Sequence, residues 1–342
     1  MMQIEELGPD HAGEIAALYA RDSDRWRAEK AWPWRLHERS GAVGLREQGK
    51  LKGMMAASPC ELRVMGQQYS AAQVAGGGLA VSSGDVEQDA AMLNALFEHL
   101  AAKGVQVAYA ACRDEHVDQL QALGFRWLFE GFGRNLYVSL DKVSSRLSKA
   151  ALTPFRRFAT EARRLRPKLV DVPLDETRIA ELAALYAMDD SSADTFGLVK
   201  DEAYLRWRYL QDPRASHRML TYRSRAGQGA SAVAIVRRFE PEGGRPILHL
   251  EDHWTRRDSR RDVAKLVGEL AMVALSEECD ALRCFAAAGS CIEQALISMS
   301  CIRKKVNRNL MLRPLSADIE LADPFPTERI QLSSGDLSLY ET

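Results

Sequence analysis

The pattern of hydrophobic and polar positions along the chain predicts the same order of elements twice. Each time a short strand leads to an amphipathic helix, a second helix, three strands, a long helix, an apolar strand, a shorter helix and a last strand. The amphipathic helix carries Ile15 and Leu18 in the first run, and Ile179, Leu182 and Leu185 in the second. This order predicts an α/β (α+β) fold with a mixed sheet, antiparallel early and parallel late, in which a last strand closes each run.

The bounds of the elements follow from the same pattern. In the first run the strands are predicted at 3–7, 42–48, 51–65, 69–82 and 105–112, and the helices at 86–103 and 115–123. In the second run the strands are predicted at 169–172, 218–225, 230–239, 247–255 and 281–287, and the helices at 260–278 and 291–299. Glycine-containing turns at 49–50 and 227–229 suit antiparallel hairpins.

Short strings of sequence also recur in the same order in the two runs. Residues 15–21 and 182–188 share the string AALYA, and the pair Trp34-Arg35 returns as Trp207-Arg208. The offset between matched segments grows from 167 to 176 residues, as expected if the second copy has a few extra loop residues. The alternative is two unrelated α/β domains of similar helix composition. We interpret the chain as a first copy at 1–140, a basic linker helix at 141–168, a second copy at 169–315 and a tail at 316–342.

The amino-acid composition limits the classes of function that can be expected of the protein. The 342 residues are 46% hydrophobic and 27% charged with a formal net charge of −1, which gives no global attraction to DNA. The acidic start of the chain is unlike a secretory signal, and no apolar stretch is long enough for a transmembrane segment. The six cysteines are scattered without metal-ligand spacing. We therefore expect a cytoplasmic protein with reduced thiols and no metal, and the oligomeric state stays open.

The segment 146–168 holds eight Lys and Arg residues against one acid, Glu161. Its apolar residues recur at helical spacing and are Leu152, Phe155, Phe158, Ala162 and Leu165. This helix either packs its apolar stripe between the copies or meets a membrane surface, an acidic partner or RNA.

The stretches 74–104 and 105–125 carry a resemblance to a known family. They run from a strand ending in Val81 through a short loop and a helix with Leu93 to a strand, and then to a helix that closes on Gly124-Phe125. This order resembles the GNAT acyltransferase fold, and the two-copy layout is similar to its tandem members. The resemblance implies transfer of an acyl group, expected to be acetyl, from acyl-CoA to a primary amine of a small molecule or sugar.

The resemblance also implies a place for the acyl-CoA pyrophosphate at a helix N-terminus, where free N–H groups and the helix dipole favour an anion. The implied cofactor-binding residues are Leu79, Ala80, Val81, Gln88, Asp89, Ala90 and Ala91 in the first copy, and Arg256, Arg257, Arg260 and Arg261 in the second. Neither loop has the inner glycines of the family pattern. The arginines either pair with Asp258 and Asp262 or bind phosphate.

Candidate catalytic residues lie on the third hairpin strand of the second copy. Period-two alternation places His249, Glu251 and His253 on one face, and Glu251 and His253 are the candidate base. The family tyrosine is absent, since its positions are Leu120 and Leu296. Either the first copy binds acyl-CoA and the second the acceptor, or the second copy does both. The alternatives are a catalytically inactive partner protein, and a Fem-like transferase that uses aminoacyl-tRNA.

Overall fold

The fold is described from a computed structural model. The described residues are 2–19, 41–74, 80–81, 83–138, 167–188, 196–213, 216–223, 230–241, 243–256, 259–299, 301–317, 319 and 330–333. Trp34-Arg35, Leu79, Arg257, Asp258 and nearly all of the predicted linker helix lie outside these ranges.

The first half of the chain contains seven strands and three helices in the described residues. The strands are β1 (Met2–Glu6), β2 (Gly41–Glu47), β3 (Lys50–Val64), β4 (Gln67–Val74), β5 (Ala80–Val81), β6 (Val107–Cys112) and β7 (Arg126–Tyr137). The helices are α1 (Ala12–Tyr19), α2 (Val86–Ala102) and α3 (Val117–Ala122). Gln48 and Gly49 both have positive φ in the turn between β2 and β3, which is the conformation of a tight primed hairpin turn.

The second half has a similar order of elements with additional short ones. Its strands are β8 (Val170–Val172), β9 (Phe196–Leu198), β10 (His217–Arg223), β11 (Ala230–Phe239), β12 (Ile247–Thr255), β13 (Ala281–Ala287) and β14 (Ile302–Pro314), followed by β15 (Ile330–Gln331). Its helices are α4 (Glu176–Ala187), α5 (Glu202–Leu205), which continues into a π-helical turn at Arg206–Leu210, α6 (Arg260–Ser276) and α7 (Cys291–Ser298). The predicted bounds of β11, β12 and β13 are confirmed, whereas β9 and β15 were missed.

The sheet is mixed, as predicted, but all the strands belong to one sheet, whereas a separate sheet was predicted for each copy. Its main path runs β1-β2-β3-β4-β6-β14-β7-β13-β12-β11-β10-β8. Within each half the hairpin strands are antiparallel, and the pairs β4·β6 and β12·β13 are parallel. The predicted mixed α/β class of fold is therefore confirmed, while the boundaries of the two copies stay a prediction.

The last strands do not close their own halves, which corrects one expectation. β14 of the second half pairs with β6 of the first, and β7 of the first half pairs with β13 of the second. Each half thus fills the open edge of the other, and β14 and β7 pair at the centre. The exchange covers two edges that would otherwise expose unpaired backbone groups, and it joins the halves into one sheet.

Helices cover both faces of the sheet because its central strands are apolar on both sides. All six residues of β6 are buried. In the second half α6 packs Val263, Leu266 and Val267 against one face, while α4 packs Ile179 and Leu182 against the other. The repeated AALYA helix therefore serves the core as its periodicity predicts.

The far end of β3 leaves the first half and joins a small extension beside the second. Leu62–Val64 pair with β9, and β9 pairs with β15. Through this extension, a strand of the first half forms part of the wall of a cavity in the second.

Candidate functional site

One parallel pair lies at the centre of each half, and both pairings are short. β12 pairs with β13 only over Ile247–His249, and β13 then continues along β7 up to Ala287. In the first half β4 pairs with β6 only over Ala71–Gln73. Beyond His249 the pairing of β12 with β13 ends and the two strands diverge, so the later part of β12 has one edge that is not hydrogen-bonded to β13.

An extra residue in β12 lies where the strands diverge. Asp252 is opposite Ile235 and Leu250 is opposite Val236, so Glu251 has no partner of its own on β11 and forms a β-bulge. The bulge places both Glu251 and Asp252 on the face that carries Ile235. His253 lies opposite Ala234, on the other face.

The prediction that His249, Glu251 and His253 share one face of the strand is therefore correct for the first two residues only. His249 and Glu251 do share a face, with His249 Nδ1 2.9 Å from Glu251 Oε1. His253 does not share that face with them, because strict alternation fails across a bulge. The sequence does not indicate the bulge, because the strand 247–255 contains no glycine or proline.

Glu251 forms a buried ionic group with His249 and Arg237, the Glu251 cluster. Its side chain is 1% exposed, and Arg237 Nε donates to Oε1 at 3.0 Å. Burial alone would raise the pKa of this carboxyl, but His249 and Arg237 hold it below its ordinary value. Burial lowers the pKa of His249 despite the nearby carboxylate. The predicted role of Glu251 as a base stays a prediction, and its carboxylate is bound inside the protein.

The Trp207-Arg208 pair continues this buried polar region. Arg208 is 1% exposed and lies 3.9 Å from the Asp212 carboxylate, which is also buried. His217 Nδ1 lies 3.3 Å from the Tyr209 carbonyl oxygen, and burial lowers the pKa of His217 to about 4. The sequence predicts packing for this pair, and the structure confirms that Arg208 packs inside, with charged neighbours.

Asp252 connects the bulge to a second charged pair. Lys200 Nζ donates to Asp252 Oδ1 at 2.7 Å, and the Tyr209 hydroxyl donates to Oδ2 at 3.1 Å. The side chains of Lys200 and Asp252 are 7% and 1% exposed. Lys200 also lies 4.9 Å from the centre of the Tyr186 ring. Tyr186 belongs to the repeated AALYA string, a signal that could have identified it, whereas nothing in the sequence links Lys200 to Asp252.

A cavity of about 420 Å³ follows the opened edge of β12, and we call it the cleft cavity. Residues 252–255 of β12 form one side, and Ser290, Cys291 and Ile292 at the start of α7 form another. The remaining walls come from α4, from Leu198–Glu202, from 330–333 and from Arg63 of the first half. His253 lines the cleft cavity and Glu251 does not.

The start of α6 directly follows β12 and is rich in arginine. Arg256, Arg260 and Arg261 are all exposed. Ser259 caps the helix by accepting a hydrogen bond from the Asp262 N–H at 3.3 Å. Asp262 Oδ2 in turn accepts a hydrogen bond from the Ser259 hydroxyl at 3.1 Å.

The corresponding helix start in the first half is that of α2. It carries acidic residues, and two of its backbone N–H groups already have a hydrogen-bond acceptor. The Asp85 carboxylate accepts from the N–H groups of Glu87 and Gln88, and Gln88 Nε2 donates back to it at 3.1 Å. Asp89 is buried and accepts from Ser83 N–H at 2.7 Å. Ala90 is half-buried, Ala91 is exposed, and Ala80–Val81 pair with β3.

Three further properties concern the described residues as a group. Among them no cluster of His, Cys, Asp or Glu could hold a metal ion. None of their helices is both long and apolar enough to cross a membrane. All six cysteines lie in the described ranges as free thiols.

The chain was compared with known proteins. No family model matches it, and no curated protein does. Solved structures do match: a GCN5-related N-acetyltransferase from Anabaena variabilis superposes with a TM-score of 0.62 at 10% identity, over 92% of this chain and 73% of that one. Saccharomyces cerevisiae N-myristoyltransferase with bound myristoyl-CoA gives 0.64 at 11% identity, over 97% and 89%. A probable N-acyltransferase from Enterococcus faecalis gives 0.60 at 13%, over 92% and 73%.

These similarities establish the class of fold. The chain has the GNAT fold of N-acyltransferases, in an arrangement that extends over nearly its whole length. At 10–13% identity the likeness concerns the fold alone.

Proposed function

We propose that the chain is an acyltransferase that moves an acyl group from acyl-CoA to a primary amine of a small molecule. The observation that carries the proposal is the opening of β12 away from β13 beyond His249, beside a cavity of about 420 Å³. A free strand edge can bind an extended ligand that contains amide groups, such as the pantetheine arm of coenzyme A. Acetyl is the first acyl group to test.

The phosphates of the cofactor are assigned to the start of α6. An anion is favoured at a helix N-terminus, and exposed Arg260 and Arg261 add positive charge there. At the start of α2, by contrast, the amides of Glu87 and Gln88 are bound by the Asp85 carboxylate. This difference supports binding of acyl-CoA by the second half rather than by the residues 79–91 of the first.

His253 is the proposed base, since it lines the cleft cavity. It would take a proton from the acceptor ammonium group, and the free amine would then attack the thioester carbon. The new C–N bond forms as the C–S bond breaks, and the second proton lost by the amine passes through water to the departing thiolate. Water is needed because the family tyrosine positions hold Leu120 and Leu296, both buried in the core.

The Glu251 cluster supports this site without touching it. Its buried charges hold the bulge in place, and the bulge directs His253 and Asp252 to opposite faces of β12. Glu251 is therefore proposed as a positioning residue, next to the reacting groups rather than among them.

Calorimetric titration with acetyl-CoA and with myristoyl-CoA tests the proposal. We expect binding of at least one of them with a Kd of about 1 μM, which corresponds to about −8 kcal/mol. Replacing both Arg260 and Arg261 by Ala should weaken that binding by about tenfold or more, because charge-assisted bonds to phosphate are lost. Arg113→Ala is the control, since Arg113 is exposed and does not line the cleft cavity. Binding of neither compound to the wild type would overturn the proposal.

A further inference from the structure

Arg63 is contributed to the cleft cavity by the first half of the chain. It lies near the end of β3 and is half-buried. Its backbone is held on both sides, by Gln68 on β4 and by Gly197 on β9. Because Gly197 has no side chain, no cross-strand neighbour on β9 covers the guanidinium group. The backbone of Arg63 is thus fixed in position, and the residue lines the cavity.

Among the described residues, the Arg63 guanidinium has neither a hydrogen bond nor an ion pair. The second cation that lines the cavity is Lys200, and its charge is paired with that of Asp252 at 2.7 Å. The two nearby acids are also engaged. Asp201 accepts from Tyr204 N–H at 2.7 Å, and Glu202 lies 3.8 Å from Arg206. Among the described residues, no carboxylate is therefore bound directly to Arg63.

The surroundings of Arg63 are largely apolar. The α4 wall presents four alanines, Ala180, Ala183, Ala184 and Ala187. Leu198, Ile330 and Leu332 line the side nearer to β3. A guanidinium group in such a place binds an anion more strongly than it would in water, and its planar fork matches a carboxylate in two parallel hydrogen bonds.

We propose that Arg63 binds the carboxylate of the amine acceptor, so that the acceptor is a small amino acid-like molecule. The acceptor would place its carboxylate on Arg63 and its amine toward His253, with its side chain against the alanine wall. A phosphate group is assigned elsewhere, because the exposed arginines of α6 do not line this cavity. The role of the bound molecule as an acceptor rests on the proposed acyl transfer, whereas carboxylate binding by Arg63 does not.

Paired ligands test the assignment by binding alone. Glycine, L-methionine and L-phenylalanine are each titrated against their amides, which keep the amine and side chain but lose the negative charge. We expect at least one acid to bind the wild type about tenfold more tightly than its amide. Arg63→Gln should remove that preference, and Arg63→Lys should restore part of it, since lysine keeps the charge without the fork. Acetyl-CoA affinity should change less than twofold in both variants.

Lys52→Gln is the matched control, because Lys52 is an exposed cation on the same strand. The inference is overturned if no acid binds the wild type, if acids and amides bind equally, or if Arg63→Gln keeps the preference. Weakened acetyl-CoA binding in Arg63→Gln would also overturn it, since Arg63 would then belong to the cofactor site. Acid binding that depends on Arg63 in a protein that binds no acyl-CoA would refute only the proposed acyl transfer.

Discussion

Arg134, on the last strand of the first half, forms a buried ion pair with Glu293 in the first turn of α7 in the second half. The second carboxylate oxygen of Glu293 accepts from Gly289 N–H at 2.7 Å. This pair fixes the start of α7, where Ser290, Cys291 and Ile292 line the cleft cavity. The strand exchange at the centre of the sheet therefore also positions one wall of the candidate site.

Arg134→Met should lower the free energy of unfolding by about 3–5 kcal/mol, because it leaves the Glu293 carboxylate buried without its partner. Urea denaturation measures the change. Arg238→Met is the control: Arg238 is an exposed strand residue 3.3 Å from Glu240, and its loss should cost less than about 1 kcal/mol. Equal costs for the two variants would contradict a structural role for the Arg134–Glu293 pair.

His253→Gln should lower kcat by about 100-fold or more while leaving acyl-CoA affinity nearly unchanged, because glutamine cannot accept the proton. Turnover is measured by release of the coenzyme A thiol. His116→Gln is the control, since His116 is an exposed histidine away from the cavity. Full activity in His253→Gln would remove His253 from the mechanism.

Glu251→Gln separates positioning from catalysis. The change removes the negative charge between His249 and Arg237, so it should destabilise the protein by about 3 kcal/mol. The kcat of the folded enzyme should fall by less than it does in His253→Gln. If instead Glu251→Gln abolished turnover with stability unchanged, Glu251 would itself be the base.

Much of the fold could be predicted from the sequence because hydrophobic periodicity reports which face of an element is buried. Residues 281–287 are a strand as predicted, and Ile15 and Leu182, matched in the two halves, are both fully buried. The exchange of β7 and β14 could not be predicted, since the apolar positions of a strand do not specify whether its neighbour is β6 or β13. Long-range pairing of this kind leaves no mark on local periodicity.

The candidate site was harder to predict than the fold. The segment around Glu251 was identified as the charged part of β12. The bulge at Glu251, however, places His253 on the opposite face from the one that strict alternation predicts. Arg63 lies on a strand of the other half, in a segment that local patterns assign to an ordinary hairpin. Lys200 follows β9, a three-residue strand too short to give a periodic signal.

Cys291 offers a direct report on occupancy of the cleft cavity. It is half-buried and lines the cavity, whereas burial raises the pKa of Cys112 and Cys279 to about 11 and that of Cys301 to about 12. We expect iodoacetamide to alkylate Cys291 and half-buried Cys60 faster than the buried thiols, because the thiolate is the reacting form.

Saturating acetyl-CoA should slow alkylation of Cys291 by about fivefold or more and leave Cys60 unchanged, as followed by peptide mass spectrometry. Cys60 does not line the cavity and serves as the internal control. Equal protection of both thiols would indicate a general stabilisation, and no protection of Cys291 would place the cofactor outside the cavity.

Acid should destabilise the protein through His217 over a defined pH range. Burial lowers the pKa of His217 to about 4, whereas in the unfolded chain it is about 6.5. Between these values the unfolded state binds more protons, so stability falls as pH falls from about 6.5 toward 4. The loss between pH 7 and pH 5 should be about 2 kcal/mol from this residue. His249 acts with the same sign, and Glu251, with its lowered pKa, adds a further loss only below its ordinary value of 4.5.

Urea denaturation at pH 7, 6 and 5 measures this dependence. His217→Gln should reduce the loss of stability between pH 7 and pH 5 by about 2 kcal/mol relative to the wild type, whatever its stability at pH 7. His116→Gln should keep the wild-type dependence, because His116 is exposed. An unchanged pH dependence in His217→Gln would mean that His217 takes up its proton equally well in the folded protein. The negative charges of its neighbours Glu251 and Asp212 would then compensate for its burial.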